Sequence, residues 1–495
     1  MKLINRIFIW AGIGLLTLIL LCIASLGLLI GWMKWSGDRD WKRVQAELHA
    51  KGEKLTLEEL VPSPPPDCEN FYADPMWHEL TDLVPGEPET SLLNFPTWKP
   101  RLPANKRLLE QWKTPLTPSE IQKLHALIPS STISSDTDRQ ASLSNLAAEF
   151  KKTDNAESRR QIAQLTLDLI QPDSSILSRI SELTGRPSAY FPVRYQDGFS
   201  APLPHIPYLM SLSRLLAWRS AAELELGNTQ AAATDIITIL RLSSVEDSEP
   251  LLISSLVQIS ILGLGLAEVN FGIKHHQWTE SDLVNFQEIL RKKNLYGRLT
   301  SSLSGERAGF YKIAHLKDWS DHRIFLFLVK LDAQYCVGDY FIQLQHRIDA
   351  VKSASQGINE STLPAQEGLS WYSHPTIKNA LDTMENLALP AINGAIEKTV
   401  EIQTQLSQTF IACALERYRL AHGSYPGSLD FLVPEYLPSI PKEPTTGSPM
   451  HYALQSDGTF LLWAPDWKLK TLNGKPGEHS GEGDIVWNQP IARGY

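Results

Sequence analysis

The sequence has few cysteines and no cysteine motif. Of the four cysteines in 495 residues, Cys22 lies in an apolar run, and Cys68, Cys336 and Cys413 are far apart without a CxxC pair. This spacing predicts neither a disulfide framework nor a cysteine-based zinc site. Cys413 falls on the apolar face of a predicted helix, so we expect it to be a small core residue.

An excess of positive charge is also missing. The chain has 46 lysines and arginines against 55 aspartates and glutamates, which gives a formal net charge of −9. Because a nucleic-acid-binding protein needs a basic face, we expect no nucleic-acid partner. The hydrophobic share of 43 % is ordinary for a globular protein, and the length allows two to four domains.

The common catalytic signatures are absent from the sequence. It contains no GxSxG, no HExxH, no phosphate loop ending in GK[ST] and no GxGxxG after a strand. We therefore assign no catalytic residue and no cofactor, and an enzyme is not the favoured interpretation.

Two adjacent pairs of chemically competent residues remain. His275 and His276 would point about 100° apart on a helix and so could not chelate one ion, which predicts solvated side chains near a helix end. Glu306 and Arg307 could be a catalytic acid beside an anion-binding base. Since adjacent residues on a helix face different ways, we expect them to make separate ion contacts instead.

Tryptophan is frequent, with 14 residues. Four of them could form a platform for a sugar or a peptide: Trp218, Trp371, Trp463 and Trp487. Core and interface packing explains the same residues equally well.

One long hydrophobic run stands at the start of the chain. Residues 7–33 are almost wholly apolar, with no charge between Arg6 and Lys34. About 20 such residues span a bilayer, and Trp10 and Trp32 stand where interfacial aromatics are expected. The run is too long for a typical cleaved signal core. We predict an uncleaved transmembrane anchor over residues 1–36, with the lipid bilayer as its partner through residues 7–33.

Residues 37–70 are predicted to form a juxtamembrane helix, Asp38 to Ala50, that Gly52 ends, followed by a proline-rich spacer. Residues 71–392 are predicted to form a multi-helix body. Within it, residues 207–245 indicate a helical hairpin that turns at Gly227-Asn228. Its small residues resemble the contact set of a tetratricopeptide repeat: Ala221, Ala222, Leu226, Gly227 and Ala231. Because a solenoid needs about three copies and one is found, we expect an isolated hairpin.

The run from Leu251 to Ala267 carries no charge. It could be a second membrane span or the central helix of a large helical domain. Ser254, Ser255 and Gln258 interrupt it and it is short for a span, so we expect a buried core helix.

Residues 393–495 change from a helical period to a period of two. Five apolar residues recur at helical spacing, which predicts one apolar stripe on an otherwise wet helix: Ile402, Leu406, Phe410, Cys413 and Leu420. Gly423 can end that helix. Two strands joined at Ser456-Asp457-Gly458 and a third extended piece follow. The predicted fold class is mainly α, with a C-terminal α+β domain in which a long helix lies on a small antiparallel sheet.

Three stretches of this region resemble the C-terminal half of the major pseudopilin of bacterial type II secretion systems. They are Ala414 to Pro426, Leu432 to Tyr452 and Gly481 to Trp487. The likeness covers about a fifth of the chain. It implies a pilin-like domain and a calcium site at Asp466 and Asp484, since oxygen ligands on a loop suit calcium. The alternative is a solvated glycine-rich loop, because three lysines lie between those aspartates. A pilin leader is absent, so fibre assembly is not implied.

The segment around NFYADPMW, after the anchor and a proline stretch, resembles large uncharacterised envelope proteins of planctomycetes and verrucomicrobia, which imply no activity. Lys2 and Arg6 favour an N-terminus inside the cytoplasm, whereas four basic residues after the run favour the reverse: Lys34, Arg39, Lys42 and Arg43. The pseudopilin likeness favours the first. We expect a single-pass protein of the inner membrane with its C-terminal part extracytoplasmic.

Two functional hypotheses follow. The favoured one is an interaction or structural module of the bacterial cell envelope, with an unknown protein partner. The alternative is an envelope hydrolase whose site is assembled from residues distant in sequence. Such a site would show as a deep cleft that holds two carboxylates, or a histidine with a carboxylate, with shifted pKa values.

Overall fold

The computed structural model describes residues 2–77, 156–314, 340–353, 383–443, 447–464 and 485–487. These parts of the chain are mainly helical, with a small antiparallel sheet close to the C-terminus. The predicted mainly α class, with helix and sheet together near the end of the chain, is confirmed at that level.

The first helix, α1, runs without a break from Lys2 to Ala50. Its stretch Ile13–Trp32 is long and apolar enough to cross a membrane and is 0 % buried in the protein. Its last turns, in contrast, are packed into the body: Trp41, Val44 and Leu48 are buried, and the Trp41 ring meets Phe341 edge-on at 4.9 Å. One helix therefore joins an uncovered apolar segment to the folded body.

The residues after α1 confirm that the helix ends at Gly52, as predicted. Gly52 has a φ of 72°, a left-handed conformation that suits glycine, and the chain turns there. The short helix α2, Leu57–Leu60, then begins with a capping box, in which the Thr56 hydroxyl accepts from the backbone N–H of Glu59 and the Glu59 carboxylate accepts from that of Thr56.

Seven further helices with defined ends build the described part of the body and its C-terminal extension. In chain order they are α3 (Ala156–Ile170), α4 (Ser174–Leu183), α5 (His205–Leu226), α6 (Thr229–Leu242), α7 (Leu252–Lys274), α8 (Glu280–Arg291) and α9 (Leu295–Ala314). Residues 340–352 are helical as well.

The predicted hairpin is present as α5 and α6. Gly227 ends α5 in the left-handed conformation, with a φ of 85°. The apolar stripe of α5 is buried, as Leu212, Leu216 and Ala222 show. The prediction is wrong for one contact residue. Ala231 is exposed, whereas Ala232 and Ala233 are fully buried and face α5 and α7.

Helix α7 is the central helix of the body. Like the N-terminal segment it is long and apolar enough to cross a membrane, but 56 % of its apolar stretch is buried. Ile261, Leu262 and Val269 are fully covered by the neighbouring helices. The interpretation of this run as a core helix is confirmed.

The long C-terminal helix, α10, runs from Thr383 to His422 and includes Pro390. It belongs to three clusters in turn. Ile396 packs with the end of α1, Leu406 packs with α7 and α8, and Leu415 packs with the sheet. The expected single apolar stripe is wrong, because Gln408 and Glu416 are buried too. The helix lies between the body and the sheet, so more than one of its faces is covered.

The sheet consists of β1 (His451–Leu454), β2 (Phe460–Ala464) and β3 (Ile485–Val486), antiparallel and in that order. Tyr452 is opposite Leu462, and Gly458, with a φ of 83°, closes the predicted turn. Leu462 is fully buried against α10. The indole N–H of Trp487 donates to Asn270 of α7 at 2.8 Å, so the sheet is also attached to the body.

Candidate functional site

A buried group of titratable side chains lies where three chain segments meet. His205 is the first residue of α5, and Glu246 and Glu249 belong to the turn between α6 and α7. Tyr72 comes from a short 3-10 helix, Phe71–Ala73, in the segment after the anchor. We call these four residues, together with Ser254 of α7, the His205 cluster.

The two carboxylates of the His205 cluster are arranged alike. His205 Nε2 lies 3.2 Å from Glu246 Oε2 and 2.8 Å from Glu249 Oε1. The second oxygen of each carboxylate is occupied by a hydroxyl: Tyr72 donates to Glu246 Oε1, and Ser254 donates to Glu249 Oε2 at 2.7 Å. One nitrogen and one oxygen from each glutamate therefore converge, and all three atoms lie within 4.8 Å of one another.

Aromatic rings close the His205 cluster to solvent. The imidazole stacks on Phe191 at 3.9 Å between centroids, and Tyr72 meets it edge-on at 5.4 Å. His205 and Glu246 have no exposed area, and Glu249 is 2 % exposed. Two buried atoms lack a hydrogen-bond partner, His205 Nδ1 and Glu249 Oε1, and an unmade bond of this kind costs about 1–3 kcal/mol.

The buried charges shift one another's protonation. Burial lowers the pKa of His205, but the hydrogen bond to Glu246 and the close carboxylate of Glu249 outweigh burial and raise it to about 9. Burial and the negative charge of Glu246 raise the pKa of Glu249 to about 7. For Glu246, burial acts upward, yet the contact with His205 brings its pKa below the ordinary value. Near neutral pH the group holds a cationic imidazole and at least one carboxylate.

Arg298 of α9 interacts electrostatically with both glutamates. Its Nε donates to Gln258 Oε1 at 2.8 Å, and burial lowers its pKa while Asp247, Glu246 and Glu249 raise it. Since Gln258 in turn donates to Asp247 at 3.0 Å, this arginine is held on the Asp247 side of the turn.

A basic cleft of about 530 Å³ lies on the other side of the same turn. Its lining includes Arg186, Arg241, Lys292 and Lys293, with Asp247 as the acidic member. Lys293 is deeply buried, which lowers its pKa to about 8, and its ammonium donates to Ser243 at 2.8 Å and to Ser244 at 2.6 Å. The turn from 243 to 251 thus separates a basic cleft from an acidic buried cluster.

The histidine pair behaves as predicted. His275 and His276 are both exposed just after the end of α7. His276 Nδ1 lies 3.0 Å from Glu416, whose carboxylate is also bound by Arg419 and Tyr425.

Glu306 and Arg307 make separate contacts, as predicted. Glu306 accepts the backbone N–H of Leu252 at 3.2 Å, so that it caps α7, and burial raises its pKa to about 7. Arg307 turns away and binds Glu53 at 3.0 Å. The two side chains form no joint acid and anion site.

Among the described residues, the candidate tryptophans do not form one platform. Trp218 packs on the α5 side of the body, whereas Trp463 and Trp487 lie at the sheet. Cys413 is buried, as expected, and Cys68 is exposed. The calcium candidates Asp466 and Asp484, together with Trp371 and Cys336, lie outside the described residues, and the calcium site stays a prediction.

Sequence reasoning missed the His205 cluster. The only local signal is the spacing Glu246-x-x-Glu249 in the segment SSVEDSEP. His205 is 41 positions away from Glu246, and Tyr72 is 174 positions from Glu246.

A scan of the chain against protein-family models, a search of curated proteins and a search of solved structures each found no match.

Proposed function

We propose that this chain is a single-pass, membrane-anchored module of the bacterial cell envelope that acts through protein contacts, with its body held at the membrane surface by α1. The observation that carries the proposal is that the two ends of α1 have different surroundings. The apolar side chains of Ile13–Trp32 are not packed against any other part of the protein, whereas Trp41, Val44 and Leu48 at the end of the same helix are buried in the body.

An uncovered apolar helix of this length is unfavourable in water. Each square ångström of exposed apolar surface costs roughly 25 cal/mol, so side chains such as Leu21 and Leu28, at 67 % and 76 % exposed, favour a lipid environment. A cleaved signal sequence would also be apolar and N-terminal. The apolar run over residues 7–33 is longer than the apolar core of a typical signal peptide, roughly 7–15 residues, and this supports retention.

The pseudopilin likeness is part of the proposal. A long helix whose last turns bury Ile411 and Leu415 against an antiparallel sheet supports it. The rest of α10 belongs to the helical body, so the pilin-like part would be fused to the body through this helix rather than carried on a separate stalk.

The His205 cluster provides one feature that the hydrolase alternative requires, a histidine beside carboxylates with shifted pKa values. It does not provide the second feature, a site that a substrate can reach. Catalytic groups must touch the substrate, and His205, Glu246 and Glu249 are at most 2 % exposed. Among the described residues, this cluster therefore supports a structural role better than catalysis.

A reporter fused after Tyr495 tests the proposed orientation. We expect a reporter that folds only in an oxidising, extracytoplasmic compartment to be active, because the proposed topology places the C-terminal part outside. A matched fusion to a reporter that works only in the cytoplasm should be inactive. The opposite pair of results would overturn the orientation.

A further inference from the structure

We propose that His205, Glu246 and Glu249 bind one divalent transition-metal cation of the Zn²⁺ class, which fastens the start of α5 to the turn before α7. The proposed site lies in the interior of the body and is independent of membrane attachment. The type of donor atoms, their spacing, the groups that orient them and the unsatisfied Glu249 Oε1 all point to a metal ion.

The donor set suits such a cation. Imidazole nitrogen and carboxylate oxygen are ordinary zinc ligands, with bond lengths of about 2.0–2.2 Å. Two ligands at those lengths in a tetrahedral site stand about 3.3 Å apart. His205 Nε2 is 3.2 Å from one glutamate oxygen and 2.8 Å from the other. A shift of a few tenths of an ångström would open the site around an ion.

The surroundings have the form of an outer ligand shell. Ligating carboxylates in metal sites are usually hydrogen-bonded through their other oxygen, which fixes their orientation. Tyr72 does this for Glu246 and Ser254 does it for Glu249, and both hydroxyls leave the converging oxygens free. The outer partners come from different segments, so the arrangement is not the accident of one helix face.

An unpartnered buried atom points independently to a ligand. Glu249 is 2 % exposed, and its Oε1 makes no hydrogen bond although it faces the imidazole at 2.8 Å. A carboxylate oxygen in this position is removed from bulk solvent and has no correctly aligned donor, which is costly. A cation between Nε2 and the two oxygens would satisfy it and would neutralise two buried negative charges, while the proton of Nε2 would be released to solvent.

The cation would be structural. The site has no exposed atom for a substrate, and its three ligands join the start of α5 to the turn before α7, with Tyr72 attached through Glu246. Because metal ligands are rarely preformed in an unfolded chain, the free energy of binding becomes free energy of folding. The cation would thereby fix the turn that also forms one wall of the basic cleft.

The test measures metal content and thermal stability of the full chain in detergent. The protein is stripped with a chelator, incubated with ZnSO₄ or MnCl₂, passed through a desalting column and analysed by elemental mass spectrometry. We expect one equivalent of metal more in the wild type than in Glu249→Gln, and a rise in Tm on reloading that the variant lacks. Glu416→Gln, which changes a carboxylate beside His276, is the matched control and should keep the wild-type metal content.

If Glu249→Gln does not fold, Ser254→Ala replaces it. That variant keeps all three ligands and removes one orienting hydroxyl, so we expect metal affinity to fall by about 10–100-fold. Equal metal content in the wild type and the ligand variant would overturn the proposal. A wild-type Tm that does not change with either ion would overturn it as well. The cluster would then be held together by hydrogen bonds and ion pairs without a metal.

Discussion

The Arg307→Ala variant is expected to lose about 3–5 kcal/mol of unfolding free energy, because it breaks a buried ion pair and leaves its partners in the interior. Arg307 has no exposed side-chain area. Its guanidinium donates to Glu53 at 3.0 Å, to the backbone carbonyl of Lys54 at 2.9 Å and to Gln345. These contacts connect α9 to the loop that follows the anchor helix.

The partners of Arg307 show why the loss is large. Burial raises the pKa of Glu53, but hydrogen bonds from Lys352 and Arg307 bring it below the ordinary value, so the carboxylate stays charged. Lys352 remains at 2.7 Å in the variant, but it is half-exposed and reaches only one oxygen. The other oxygen and the Gln345 amide would lose their buried donor.

Urea unfolding of the detergent-solubilised full chain measures this effect. Arg291→Ala is the matched control, since Arg291 pairs with Glu288 on the surface and such pairs contribute about 0–1 kcal/mol. The double variant Arg307→Met with Glu53→Gln should regain part of the loss, because both charges are then gone. A single variant as stable as Arg291→Ala would contradict the assigned role of this network.

The second large effect is expected at Gly305 of α9. A Cβ built on Gly305 would lie 1.5 Å from the carbonyl oxygen of Pro250 and 2.6 Å from its carbonyl carbon. Both are backbone atoms, so α9 and the turn before α7 would have to move apart. We expect Gly305→Ala to cost about 3 kcal/mol, at the upper end of the usual range for overpacking.

Gly394→Ala is the internal comparison for Gly305→Ala. Gly394 is also helical, but beyond its chain neighbours and the adjacent backbone of its own helix nothing lies within 4 Å of an added Cβ. Alanine there should stabilise the protein by about 0.5–1 kcal/mol, because it restricts the unfolded chain and favours helix. The two substitutions are chemically identical, so the same measurement should give opposite signs. A Gly305→Ala variant of wild-type stability would show that the close approach of α9 to Pro250 is absent.

Local patterns in the sequence predicted the elements whose cause is local. The apolar period predicted α5, α6 and α7, and turns were predicted at Gly52, Gly227 and Gly458, each of which has a positive φ. Each depends on residues a few positions apart. Backbone preference and side-chain spacing decide such features before tertiary contacts form.

Features that depend on several segments were not predicted. The body was predicted to end at residue 392, yet α10 continues across that position, and the helical segment after it packs with Trp41 and Phe341. Glu416 has a polar side chain on a predicted wet face but is buried, because His276, Arg419 and Tyr425 reach its carboxylate. The His205 cluster has the same origin, since its members meet only after the helices pack.

The reactivity of Cys22 in native membranes tests the membrane anchor most directly. Cys22 lies in the middle of Ile13–Trp32 and Cys68 is exposed beyond the docked end of α1, so the chain carries a probe and its own reference. In open membrane fragments of a Cys336→Ser, Cys413→Ala background, we expect a water-soluble maleimide to label Cys68, and to reach Cys22 only after SDS. Cys22→Ser and Cys68→Ser identify the bands. Labelling of Cys22 at the rate of Cys68 before SDS would contradict insertion of this segment in the bilayer.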